Sequence, residues 1–140
     1  MIIKFDTETI RMITLFENLT NVRVKDCLID NATNTVYFIV ESGKIGIAIG
    51  KNGISAKRIE KVTGKNIKIY EYSENLEKFV KNLIPQSNEV KVKNENGKII
   101  VEIKVDKTNR GIVIGRDEKK LKLYKEILQR NHKVDDLVVR

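Results

Sequence analysis

The apolar residues of the first twenty positions that stand at Ile10, Ile13, Phe16 and Leu19 predict a helix begun by Asp6 as its cap, with those four as its buried stripe. The period then shortens. Val22-Arg23-Val24-Lys25 alternates and predicts a strand running to about Ile29, and Asp30-Asn31-Ala32-Thr33-Asn34 is turn chemistry. Val36 to Glu41 is apolar on both faces, which predicts a central strand closed by Ser42-Gly43. Lys44 to Gly53 reads K-I-G-I-A-I-G-K-N-G and predicts a short helix ending at Gly50, then a loop at Lys51-Asn52. A longer helix follows from Gly53 to Thr63, with apolar positions Ile54, Ile59 and Val62 and a stop at Gly64. Asn66 to Tyr72 alternates again, with Ile67 and Ile69 on one face. The order is helix, strand, strand, helix, glycine loop, helix, strand.

The same order returns. After Ser73, Leu76, Phe79, Val80, Leu83 and Ile84 form one helical face, Glu74 with Lys78 and Glu77 with Lys81 add i, i+4 pairs, and Pro85 ends the helix. Val90 to Lys93 alternates, Asn96-Gly97 is a strong hairpin signal, and Ile99, Val101, Ile103 and Val105 alternate on the return strand. A short helix leads to Gly115, and Arg116 to Arg130 predicts a helix with Leu121, Tyr124, Ile127 and Leu128 inward. Asp136 to Val139 predicts a closing strand. Gly46 to Lys51 aligns with Gly111 to Arg116, four of the six pairs being identical. An internal repeat of this kind predicts two copies of one α+β unit, residues 1–73 and 74–140. At roughly 70 residues each is near the lower size for a self-sufficient core, and too few residues join the two for a loose tether, so they are expected to pack against each other.

Composition is that of an ordinary soluble domain, 41% hydrophobic and 33% charged. No apolar run is long enough to span a bilayer, and Met1-Ile2-Ile3-Lys4 before Asp6 does not read as a signal peptide. The lone Cys27 excludes a disulfide framework and is read as a small buried apolar residue in a reducing interior. Charge adds more. The net value is +8, with 11 basic against 8 acidic residues in 1–73 and 16 against 11 in 74–140. Both halves being basic fits a polyanionic partner, nucleic acid before membrane.

Two glycine-rich phosphate motifs fail on spacing. A Walker A loop needs four residues between its glycines and then Lys with Ser or Thr, but three residues separate Gly46 from Gly50, and Asn52 follows Lys51. The dinucleotide fingerprint needs glycines two and then three apart, against four and three here. A G-x-x-G turn joining two helices remains. Glycines there allow a nucleic-acid backbone to approach the main chain. The following helix presents its positive end. Lys51 adds charge, Asn52 a hydrogen-bond donor, and Ile47, Ile49 and Ile54 offer an apolar border for bases. Aromatic residues are only 6%, with no Trp, which disfavours reading by aromatic stacking.

Gly50-Lys51-Asn52-Gly53 and the element order resemble the KH domain in its type II form, whose GXXG loop clamps the backbone of about four nucleotides. The resemblance covers nearly the whole chain and implies two tandem type II KH domains. It implies RNA contacts at Ile49, Gly50, Lys51, Asn52, Gly53 and Ile54, with Lys57, Arg58 and Lys65 beside them. In the second copy it implies Gly115, Arg116, Lys119 and Lys122, but Asp117 and Glu118 replace the later loop residues. Those acids are expected to start the next helix and to repel phosphate. Tandem copies filling a chain are similar to the archaeal NusA-like transcription factors. That resemblance implies a monomeric cytoplasmic protein without cofactors that binds single-stranded RNA, nascent transcript or ribosomal RNA, in termination or antitermination, with RNA polymerase as a second partner. Two alternatives stay open, a KH-fold protein-interaction module and a ribosome-associated KH protein. An enzyme is not expected: His132 is the sole histidine and reads as solvated or capping, and neither metal-ligand spacing nor a nucleophile motif occurs.

Overall fold

Residues 6–140 are described by the computed structural model, so the reading of Met1 to Lys4 lies outside the described part. The chain divides at Ser73/Glu74 into two compact units. In the first, Asp6 is extended and its Oδ1 accepts the Thr9 N–H at 2.8 Å, capping α1 (Thr7–Thr20). That backbone bond, with a further one from the Thr9 hydroxyl, holds the Asp6 carboxyl below its usual range. Phe16 and Thr9 face inward, while Ile10 is 53% exposed, against expectation. At about 100° per residue Ile10 lies roughly 120° around the axis from Phe16. A strict three-residue spacing drifts off the buried face, and Thr9, Met12, Ile13, Leu19 and Thr20 stay within it.

Three strands form one sheet in the order β1 (Val24–Asp30), β2 (Thr35–Val40), β3 (Asn66–Glu71). β1 starts two residues later than the alternation suggests, leaving Val22 buried in the connection. β1 and β2 are antiparallel, and β2 and β3 parallel. A parallel step needs a long crossover, and α2 (Ile45–Ile49) with α3 (Ile54–Thr63) supplies it. β2 is central and every residue of it is buried. On one face Cys27, Val36, Phe38 and Val40 pack with Phe16, Ala48 and Ile59, and the Phe16 and Phe38 rings stack at 4.2 Å. On α3 only Ile59 is buried; Ile54 and Val62, read as part of its apolar set, are 65% and 60% exposed.

The second unit has the same element order. Asn75 caps α4 (Leu76–Leu83), its Oδ1 accepting the Lys78 N–H at 2.9 Å. Glu74 therefore precedes the helix and cannot form an intrahelical pair with Lys78. β4 (Ser87–Glu95) and β5 (Lys98–Val105) are joined by Asn96 and Gly97, both at positive φ, as a two-residue type I′ hairpin requires. β5 also pairs in parallel with β6 (Asp136–Val139), and α5 (Lys107–Ile114) with α6 (Lys119–His132) makes the crossover. Phe79, Val80, Leu83, Ile84, Val101, Ile103, Tyr124, Ile127 and Leu128 are buried, and Leu121 is half-buried. The opposite face of the sheet is charged: Glu102 accepts from Lys93 at 2.9 Å and from Arg140 at 2.5 Å. The architecture is α+β, with a small mixed sheet in each unit. Among the described residues no helix is long and apolar enough to cross a membrane.

Candidate nucleic-acid interface

The segment between α2 and α3 is shaped by two glycines with different jobs. Gly50 sits at φ 79°, ψ 168°, a region that is essentially glycine-only. It is also hemmed in: a Cβ there would lie 2.6 Å from Ser55 Oγ and 3.0 Å from Ser55 N. Its N–H donates to the Gly46 carbonyl at 3.0 Å and closes α2. Asn52 (φ 56°, ψ 26°) and Gly53 (φ 72°, ψ 18°) are then left-handed in succession, which turns the chain into α3. Asn tolerates that conformation better than most residues. Around Gly53 the space is open, the nearest atom to a Cβ being Lys57 Cε at 3.9 Å.

The turn presents Lys51 and Asn52 to solvent. Its two defining hydrogen bonds use the amides of Gly53, to Gly50 O at 3.1 Å, and of Ile54, to Lys51 O. The amides of Lys51 and Asn52 take part in neither. Ala48 points into the core and anchors α2, so Ile47 and Ile49 stand outward with Ile54 as an apolar border. Isoleucines at these positions gain nothing for the fold by exposure, which is what a contact surface needs. Lys57 reaches back beside Gly53, and Arg58 is exposed on the same helix. Lys65 is elsewhere. It follows Gly64 at the far end of α3, about 15 Å along the axis, with its Nζ 4.0 Å from Glu8 Oε1 and 3.4 Å from Asn34 Oδ1. The geometry thus gathers Ile49 to Ile54 with Lys57, places Arg58 nearby, and leaves Lys65 out. Ser55, whose hydroxyl lies under Gly50, escaped the sequence reading. Its counterpart 65 positions on is the unlike Lys120, so the repeat carried no signal for it.

The second loop corrects an expectation. Asp117 and Glu118 are not first-turn residues of a helix from Arg116; α6 starts at Lys119, and both acids belong to the loop at φ 54° and φ 60°. Gly115 keeps the constraint of Gly50, since a Cβ would lie 2.7 Å from Lys120 Cγ and 3.0 Å from its backbone N. Arg116, Lys119 and Lys122 are exposed around this loop, and Ile112 is exposed in the place of Ile47. Lys133, not His132, is the C-cap of α6. His132 is the last residue of α6, half-buried with its ring 5.3 Å from that of Phe79. Among the described residues no group of three His, Cys, Asp or Glu is placed to hold a metal ion.

A helix–turn–helix with two left-handed residues, set across the parallel step of a three-stranded sheet, defines the class. Residues 10–95 match the KH domain, from α1 through the first loop to the end of β4, and the chain belongs to the KH-domain family. Within that family it is similar to two archaeal proteins called probable transcription termination protein NusA. The one from Methanocaldococcus jannaschii is 34% identical over 98% of this chain and 75% of its own length. The one from Halococcus morrhuae is 30% identical over 91% of both chains. The crystal structure of APE1850 superposes with a TM-score of 0.78 at 35% identity, covering 97% of this chain and all of that one. The chain is a NusA-like KH protein.

Proposed function

We propose that the chain consists of two tandem type II KH domains, residues 1–73 and 74–140, that it binds single-stranded RNA through the glycine loop of the first, and that it acts in transcription termination or antitermination. The carrying observation is the open, positively charged loop at Gly50 to Gly53. Its first glycine is required by packing against Ser55, whereas the space over its second is unfilled by protein. A phosphate fits where a side chain is absent, beside two amides that the turn does not use and within reach of Lys51 and Lys57. The exposed Ile47, Ile49 and Ile54 then border splayed bases, in keeping with a fold poor in aromatic platforms. The names of the archaeal relatives support the transcriptional role, and RNA polymerase is the protein partner that role calls for.

The test is titration of a short single-stranded RNA, and the DNA of the same sequence, at several salt concentrations. The wild type is compared with the Lys51→Asp, Asn52→Asp variant. Asparagine and aspartate both tolerate the left-handed position at 52, and Lys51 is exposed, so the variant is expected to fold. Wild type is expected to bind RNA with a salt slope of about −0.7 per phosphate contact, and the variant to lose both affinity and slope. Equal binding by two folded proteins would sink the clamp and favour a protein-interaction module instead.

A further inference from the structure

The two loops have one backbone and opposite chemistry. At Gly50 and Gly115 the dihedrals are φ 79°, ψ 168° and φ 76°, ψ 172°. At Asn52 and Asp117 they are φ 56°, ψ 26° and φ 54°, ψ 31°. At Gly53 and Glu118 they are φ 72°, ψ 18° and φ 60°, ψ 21°. The second loop keeps this shape with a non-glycine residue at each of two successive left-handed positions, where an L side chain is disfavoured. One structural reason for an acid before a helix, a side-chain cap bond, is missing here. Glu118 stands at the cap position of α6 with left-handed backbone and makes no side-chain cap bond. With matching dihedrals, the Cβ of Glu118 leaves the chain in the direction that is open space over Gly53, so the second loop carries an exposed acidic side chain where the first loop carries none. Attraction is not lacking nearby, because Arg116, Lys119 and Lys122 are exposed around it.

We infer that the second loop is a competent phosphate-binding turn closed to nucleic acid by Asp117 and Glu118, so that the RNA grip of this chain is confined to the first loop. The inference rests on the reading of the first loop as an RNA clamp. The acids act as a specificity device, adding like-charge repulsion at the one point where a polyphosphate would otherwise meet two similar surfaces. Phosphate-bearing strands are then held in one place rather than shared between two loops.

Its test is whether the second loop can be opened. Asp117→Asn with Glu118→Gly supplies the residue types the first loop has at those positions, and glycine relieves the left-handed backbone at 118. The change is made in wild type and in the Lys51→Asp, Asn52→Asp variant, and a short single-stranded RNA is titrated into all four proteins at low and moderate salt. Thermal unfolding verifies that each is folded. The expected result is that opening the second loop restores binding to the first-loop variant by at least about tenfold, with a salt slope regained. In wild type it should make the slope steeper. No gain in either background, with wild type binding and all four folded, overturns this inference and leaves the first-loop reading intact. Binding that appears only when the second loop is opened, with wild type inert, sinks the first-loop reading and with it the confinement of the grip to that loop. No binding by any of the four overturns both.

Discussion

Gly50 and Gly53 occupy the two ends of one short motif for unlike reasons, and the difference is measurable. Gly50 is doubly constrained, by a glycine-only backbone region and by Ser55 beneath it. Gly50→Ala is expected to cost about 3 kcal/mol. Gly53 has only the left-handed backbone to satisfy, so Gly53→Ala should cost about 1 kcal/mol while weakening RNA binding more than stability. Urea unfolding of the two variants decides the point; equal losses would refute the packing role of Ser55. A charge argument belongs at this scale too. The Lys93 hydrogen bond, then the nearby Arg140, holds the Glu102 carboxyl below its usual range. The folded state therefore binds protons less readily than the unfolded state, and the associated stability is present above about pH 4.3 and is lost as pH falls through the lower folded value. Thermal midpoints measured from neutral pH downward should drop less steeply for Glu102→Gln than for wild type, the two converging in strong acid. Parallel profiles would show that the Lys93 and Arg140 contacts do not stabilise the carboxylate.

At the scale of elements, the first unit depends on one strand. β2 is paired on both edges and buried throughout, and Phe38 stacks on Phe16 of α1 at the centre of a small core. Phe38→Ala leaves a cavity that so small a unit cannot close, and a loss of about 3–5 kcal/mol is expected in urea unfolding. A loss under about 1 kcal/mol would mean that α1 can re-pack onto the sheet. Helices were legible by period but not always by face. Ile10 and Val62 fit helical spacings and are exposed, Ile10 because a run of three-residue steps rotates off the core. Element boundaries near the loops differ from the periodicity for a related reason. Asp117 and Glu118 are good first-turn residues on charge alone, and only the backbone places them outside α6. Where the local signal was strong, as at Asn96-Gly97 or Asp6, sequence and structure agree to the residue.

For the whole molecule the question is whether RNA answers to a net charge of +8 or to one loop. A clamp holding about four nucleotides predicts a slope of log affinity against log salt near −3. A diffuse basic surface predicts a steeper slope that survives substitution at Lys51 and Asn52. Titrations between about 50 and 200 mM salt separate the two. Exposed lysines outside the first loop, such as Lys98 and Lys104, should then change the encounter rate more than the slope.

The sequence by itself determined the order of elements, the two α+β units, the glycine loop and its basic character, because periodicity, turn chemistry and an internal repeat are local properties of the chain. It could not settle which face of a helix lies inward at its ends, or that Lys65 stands at the far end of α3 from the loop it was grouped with. It also left open that Ser55 lies beneath Gly50 and that Asp117 and Glu118 keep the left-handed backbone of the first loop instead of starting α6. Those depend on atoms brought together across turns of backbone, and a residue's spacing along the chain says nothing about the space left over its Cβ.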